Sequence, residues 1–333
     1  MIPFRVLLLL FFLSGINAQI ALPTFQGVHK PQSSSSLYDF TSQTFTNCGA
    51  TGTDGPTLAN CTSAYSDSWT DDTDYFNVAD GIQSWTVPID GTYTIEVWGA
   101  QGGYDGGLGA RMKGDFSLSS GDVIKIIVGQ EGTSKTSSSN SGGGGGGGSF
   151  VIKYPYNTTG SILVIAGGGG GKSSSFYTSG TYDADISGGQ TDESGGSTHA
   201  SGGGTSGNGG QAGTLDCCLS GNIGGSGGGG FTSNGDNGSS GTGGKSFSNG
   251  GDGGSGTSTG GEGGFSGGGG AAWDNAVRSG GGGGYSGGQG GSFVSSGFNY
   301  AHGGGGGSYN SGSNKSNSAN IREDHGQIII TIN

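Results

Sequence analysis

Four cysteines and four Asn-x-Ser/Thr sequons are the groups in this sequence whose type and spacing point most directly to covalent chemistry. Cys48 and Cys61 bracket a Gly/Thr/Asp-rich loop and are expected to pair as a disulfide in an oxidising compartment. Cys217 and Cys218 are adjacent, which leaves a vicinal disulfide, an intermolecular bond and free thiols all open. Asn60, Asn157, Asn237 and Asn314 each open a sequon and are candidate acceptors for N-linked glycans. At Asn60 the neighbouring Cys61 bridge would crowd the site.

Other patterns resemble catalytic or ligand motifs but lack the context that gives such motifs their chemistry. Gly264-Phe265-Ser266-Gly267-Gly268 and Gly284-Tyr285-Ser286-Gly287-Gly288 fit G-x-S-x-G, yet neither lies between a strand and a helix. His29, His199 and His302 are not spaced with a serine and an acid as a triad would require. The run from Ala166 through Gly171 to Lys172-Ser173 follows a predicted strand and looks like a loosened P-loop. A phosphate cradle needs a following helix with free N-terminal amides, and no helix-forming run follows here. Lys113-Gly114-Asp115 is read as part of a polar strand approach rather than as an integrin-type recognition tripeptide. The acidic stretch Asp67 to Phe76 lacks the glycine turn and distal Glu of a calcium loop and is read as a solvated loop. No H-E-x-x-H and no paired C-x-x-C occurs. The expectation is a non-enzyme with no cofactor and no metal.

The elements that must position these groups are strands. Ile82 to Pro88 and Tyr93 to Trp98 alternate, and the latter places Tyr93, Ile95 and Val97 on one face. Phe116-Ser117-Leu118, Val123 to Val128, Ser149 to Tyr154, Ile162 to Ala166 and Gln327 to Ile332 read as further strands, and no segment has helical periodicity. The last strand cannot fold alone. Its partners lie before Phe176, so the glycine-dominated stretch between them is an insertion pinned at both ends.

Composition sharpens that reading. With 84 glycines and 29% hydrophobic residues, against roughly 45–50% in ordinary domains, the chain cannot spread a leucine-rich core over its length. The glycine stretch must be unfolded or held by backbone hydrogen bonds. A formal charge of −12 without a basic patch argues against nucleic acid and against anionic membranes. Arg5, the apolar run Val6 to Leu13 and the small residue Ala18 form a secretory signal, with cleavage expected after Ala18. No other stretch is apolar enough to span a bilayer, so the mature product is expected to be secreted and not inserted in a membrane. The divisions read from the sequence are 1–18 signal peptide, 19–37 polar linker, 38–172 with 319–333 β-sandwich, and 173–318 glycine-rich insertion.

Several segments occur in an order that resembles the glycine-rich ectodomain of the anaplastic lymphoma kinase and leukocyte tyrosine kinase receptors. They are Phe45 to Gly52, Asp54-Gly55-Pro56-Thr57 with Cys61, Gly81 to Pro88, Gly91 to Ile95, Gly99 to Gly103 and Ile127-Val128-Gly129-Gln130. Gly142 to Phe150, Leu163 to Gly171 and the closing His325-Gly326-Gln327 complete the set. The resemblance implies an all-β, TNF-like jelly-roll sandwich with an inserted bundle of polyglycine II helices packed side by side. It places Phe231, Phe247, Phe265, Trp273, Tyr285 and Phe293 at the rim or on turns of that bundle. Kinase signatures such as H-R-D and D-F-G are absent from the sequence, so the receptors' signalling activity does not carry over. The expected function is a secreted, non-catalytic protein that binds an extracellular protein ligand or assembles structurally in matrix. The alternative is the ligand-binding ectodomain of a receptor tyrosine kinase represented only in part.

Overall fold

Residues 35–135, 142–173, 183–198, 201–214, 224–273, 277–292 and 302–333 are described by a computed structural model. The signal and linker residues before Ser35, together with His199, Cys217, Cys218 and Phe293, lie outside the described residues. In chain order the elements are β1 (Ser42–Phe45), α1 (Leu58–Ala64), β2 (Phe76–Ala79), β3 (Ile82–Thr86), β4 (Gly91–Trp98), β5 (Gly109–Leu118), β6 (Val123–Ile127), β7 (Ser149–Lys153) and β8 (Ile162–Ala166). A short α2 (Ala184–Ser187), β9 (Ala272–Trp273), β10 (Val277–Arg278), β11 (Tyr309–Asn310), β12 (Ser313–Arg322) and β13 (Gln327–Ile332) follow.

Two antiparallel sheets face each other, ordered β1-β13-β4-β5-β12 and β11-β8-β7-β6-β3-β2. The fold is an all-β sandwich. As the alternation predicts, Tyr93, Ile95 and Val97 of β4 point inward and are fully buried. They meet Ile328 and Ile330 of β13, Trp85 of β3 and Ile124 and Ile126 of β6 in one core. Trp85 is its hub, with ring centroids 5.8 Å from Tyr93, 6.2 Å from Phe45 and 5.2 Å from Phe40. β13 fills a gap between β1 and β4, pairing with both. The last strand is therefore interior to its sheet, and the glycine-rich stretch is fixed at both ends.

The elements β11, β12 and α1 depart from the sequence reading. β12 pairs with β5 from Ser313 onward, and β11 pairs with β8, so the sheets claim residues that the composition assigned to the insertion through residue 318. The β12 sequence Ser-Asn-Lys-Ser-Asn-Ser-Ala-Asn-Ile-Arg shows no alternation because it is an edge strand, mostly exposed, with little face to bury. At the end of the cysteine loop, α1 forms despite its weak pattern because Thr57 and Asn60 make a capping box at its N-terminus.

The glycine tracts obey a different rule. Gly280 and Gly283 donate to Gly143 O (3.1 Å) and Gly146 O (2.9 Å). Gly281 and Gly284 donate to Ser226 O (2.9 Å) and Gly229 O (3.2 Å), and Gly282 and Tyr285 to Gly304 O and Gly307 O (both 2.8 Å). Three successive amides thus address three neighbours, and the fourth returns to the first. In the same tract Gly280 O and Gly283 O accept from Gly171 N and Gly168 N, Gly281 O from Gly269 N and Gly282 O from Gly288 N. The 143–148 tract repeats the pattern: Gly143 and Gly146 bond to Lys172 and Gly169, Gly144 and Gly147 to Thr133 and Gln130, Gly145 and Gly148 to Gly269 and Ser266. Backbones can approach this closely only where no Cβ intervenes.

The array is joined to the sandwich by side chains as well as by chain continuity. The outward face of the six-stranded sheet carries Ile127, Phe150, Ile152, Ile162 and Ile165, and these pack with Phe231, Phe247, Phe265 and Tyr285 in a second core. Phe247 stacks on Phe150 (5.6 Å, 22°) and on Phe231 (5.3 Å, 19°). Phe231, Phe247, Phe265 and Tyr285 do lie on turns and bends, but not at an exposed rim: all four are buried at the seam. A large apolar sheet face needs cover, and the aromatic rings of the insertion supply it at about 1.5–3 kcal/mol per buried side chain.

A Cβ on Gly282 would overlap Gly168 O, whereas a Cβ on Gly160 meets only Thr158 Oγ1 at 4.0 Å. Gly282→Ala should therefore cost about 3 kcal/mol in a denaturant titration. Gly160→Ala should stay within about 0.5 kcal/mol of the parent.

Candidate functional site

A cleft of about 390 Å³ is lined by Asp54, Gly55, Pro56, Thr57, Leu58, Val78, Asp80, Gly81 and Asp252. One wall is the cysteine loop, closed by the Cys48–Cys61 disulfide with a Cα separation of 4.9 Å. The disulfide joins the end of β1 to the first turn of α1, so Thr57 and Leu58 are carried on a fixed frame. A second wall is the turn of the β2–β3 hairpin, in which Ala79 pairs with Ile82 across the two residues Asp80-Gly81. Both have positive φ (50° and 76°), the geometry of a tight primed hairpin turn. The third wall, Asp252, comes from the glycine array.

Two glycines let these walls meet. A Cβ on Gly55 or on Gly81 would overlap the other residue's Cα and the Phe265 ring. The loop is tied to the array by Phe265 N donating to Gly52 O (2.7 Å), Gly253 N to Thr53 O (2.9 Å) and Gln130 Nε2 to Asp54 O (3.0 Å). The cleft thus sits where sandwich, cysteine loop and array converge. Its electrostatics are acidic: Asp54, Asp80 and Asp252 line it, and the Lys245 ammonium beside it is paired with Asp252. The Lys245 pKa is raised by its hydrogen bond to Asp252 and, more weakly, by the charge of Asp54. An acidic cleft with apolar patches at Val78, Leu58 and Pro56 suits a hydrogen-bond donor or cation carried on a larger molecule. It brings no nucleophile and base together.

The motif residues are placed as follows. Ser266 and Ser286 are buried in the array, and Ser286 Oγ accepts from Gly207 N (3.1 Å). The amides of Gly168 through Lys172 all donate to backbone carbonyls of other segments, which leaves none of them for a phosphate. Lys113 and Asp115 are held in β5: Lys113 Nζ lies 3.6 Å from Glu96, and Asp115 Oδ1 accepts from Thr94 Oγ1 (2.6 Å). Asn60, Asn157, Asn237 and Asn314 are all exposed. Among the described residues, no group of three His, Cys, Asp or Glu is arranged to hold a metal ion. The sequence reading missed the cleft because Asp54-Gly55 and Asp80-Gly81 look like ordinary turns until the fold brings them together. Their signal was the paired Asp-Gly spacing around a disulfide loop.

Buried titratable groups lie elsewhere. His302 is buried, and its Nδ1 accepts from Ser173 N at 3.1 Å. Burial, reinforced by the nearby Lys172 charge, pushes its pKa down to about 4. His325 Nδ1 accepts from Glu131 N (3.0 Å), and burial lowers its pKa too. The Glu131 carboxyl is raised by burial and by Asp324 and Asp105.

No family model matches the chain. A stretch of 95 residues, 26% of the chain, is 36% identical to the leukocyte tyrosine kinase receptor of Mus musculus, of which it covers 11%. The chain thus contains a region similar to part of a receptor tyrosine kinase. No helix among the described residues is long and apolar enough to cross a membrane.

Replacing Cys48 and Cys61 together by Ser should cost about 3 kcal/mol through the freed loop, read by chemical denaturation with and without reductant. His302 binds a proton more readily when unfolded than when folded. Its contribution is therefore fully present above pH about 6.5 and is lost as pH falls towards about 4. A His302→Gln chain should show a shallower loss of thermal stability across that window.

Proposed function

We propose that the protein is a secreted, non-catalytic extracellular protein built on a receptor-ectodomain-like scaffold, acting by binding or by structural assembly. The observation that carries this reading is the 95-residue similarity to the leukocyte tyrosine kinase receptor. The Cys48–Cys61 disulfide supports an oxidising compartment, and the signal-like N-terminus supports secretion. The same similarity favours a second reading, a receptor ectodomain region that captures a protein ligand.

At finer grain, the sandwich is proposed to be a TNF-like jelly roll and the array a bundle of polyglycine II helices. The three-residue repeat of bonding directions supports the latter, since that helix has three residues per turn and no internal hydrogen bonds. The acidic cleft supports a protein ligand presenting a basic side chain, not a nucleic acid. The densely hydrogen-bonded array supports a load-bearing role in matrix equally well.

Secreted material should begin at Gln19, and its amides across residues 224–292 should exchange slowly with heavy water. Exchange there at random-coil rates would contradict the packed bundle. Sedimentation at rising concentration separates the two roles. Reversible growth beyond the monomer marks self-assembly. A persistent monomer that loses binding to an extracellular partner on Asp54→Asn with Asp80→Asn marks recognition through the cleft.

A further inference from the structure

The four sequons meet four different surroundings. Asn60 Oδ1 accepts from Thr57 N (2.9 Å) and Thr57 Oγ1 (2.6 Å), and the middle residue of its sequon, Cys61, is buried in the disulfide. Asn237 Oδ1 accepts from Gly243 N (2.9 Å). Asn314 Nδ2, the atom a glycan would occupy, donates to Asp115 Oδ2 (2.8 Å), and its backbone has φ 49°. Each of these three carboxamides is engaged by the fold.

Asn157 is different. It lies in the turn between β7 and β8, where Lys153, Tyr154, Pro155, Thr158, Thr159 and Gly160 are also exposed. The turn is held without it. Tyr156 OH donates to Val123 O (3.0 Å), its ring lies 4.8 Å beneath Lys125 Nζ, and Ser161 Oγ donates to Thr158 O (2.6 Å). Asn157 makes no hydrogen bond or ion pair with any described residue, and Tyr154 beside it is 77% exposed. An exposed, hydrogen-bonded turn whose asparagine carboxamide the fold does not use accommodates a bulky, hydrated substituent without disturbing a packed group.

We infer that Asn157 carries an N-linked glycan. Its Nδ2 forms a bond to the anomeric carbon of a lipid-diphosphate-linked oligosaccharide. The bond from that carbon to the phosphate oxygen breaks, the lipid diphosphate departs, and one amide proton passes to a base of the transferase. The inference rests on the secretory reading given above, because the donor is met only on that route.

The position also polarises the sandwich. Thr86 at one end of β3 pairs with Val123, against which the Asn157 turn is held, whereas Ile82 at the other end follows the cleft residue Gly81. Those ends of β3 are about 13 Å apart at 3.3 Å per residue. The Asn157 turn and the acidic cleft therefore lie towards opposite ends of β3.

The test is to express the full chain in a secretory eukaryotic host and release N-glycans enzymatically in heavy-oxygen water. Asn157 should be recovered as heavy-oxygen aspartate, and Asn157→Gln should lose one glycan-sized step in electrophoretic mobility. Unmodified Asn157 in chains beginning at Gln19 would overturn the inference and leave secretion standing. Unmodified Asn157 in chains still beginning at Met1 would overturn both.

Discussion

The structure depends on backbones bonding to backbones where no side chain stands between them. In the tract 280–285, successive amides reach segments near 143, 226 and 304 in rotation. The arrangement tolerates no missing neighbour, because each tract is partner to several others. A single amide hydrogen bond contributes about 1 kcal/mol net, whereas fixing a backbone costs roughly 1–2 kcal/mol per residue. Hydrogen bonding alone leaves such an array marginal. Its stability needs ends that are already fixed and a surface on which to condense.

The sandwich provides both. Tracts run straight into β7 at Ser149 and out of β8 at Ala166, so two adjacent strands seed the array in a set register. The outward isoleucines of the same sheet need cover, and Phe231, Phe247, Phe265 and Tyr285 provide it. The other sheet has no such apolar outer face: Glu96, Arg111 and Lys113 sit there as a charge cluster. The two sheets therefore divide the work, one turned to the array and one to solvent.

The strands with buried faces could be read from the sequence, because alternation is enforced where one side meets a core. Tyr93, Ile95 and Val97 are of this kind, and the strand at Gln327 to Ile332 revealed that the insertion is pinned. The edge strand β12 escaped, since serine and asparagine at an exposed edge carry no pattern. The four buried rings escaped for another reason. Isolated aromatics in glycine look like turn residues, and only the facing isoleucines show what they cover. The cleft was legible as pieces only, because Asp54, Asp80 and Asp252 come from three separate parts of the chain.

The saturation of glycine amides also bears on how the molecule ages. Asn-Gly pairs are the sequences most prone to spontaneous deamidation, because an unhindered glycine nitrogen can attack the asparagine side-chain carbonyl and close a succinimide ring. The array contains Asn208-Gly209, Asn234-Gly235, Asn237-Gly238 and Asn249-Gly250. In every one the glycine nitrogen is already committed: Gly209 to Ser233 Oγ (3.0 Å), Gly235 to Gly244 O (3.0 Å), Gly238 to Ser226 Oγ (3.1 Å) and Gly250 to Phe247 O (3.2 Å). The hydrogen bonds that order the array therefore also shelter it from a slow chemical clock.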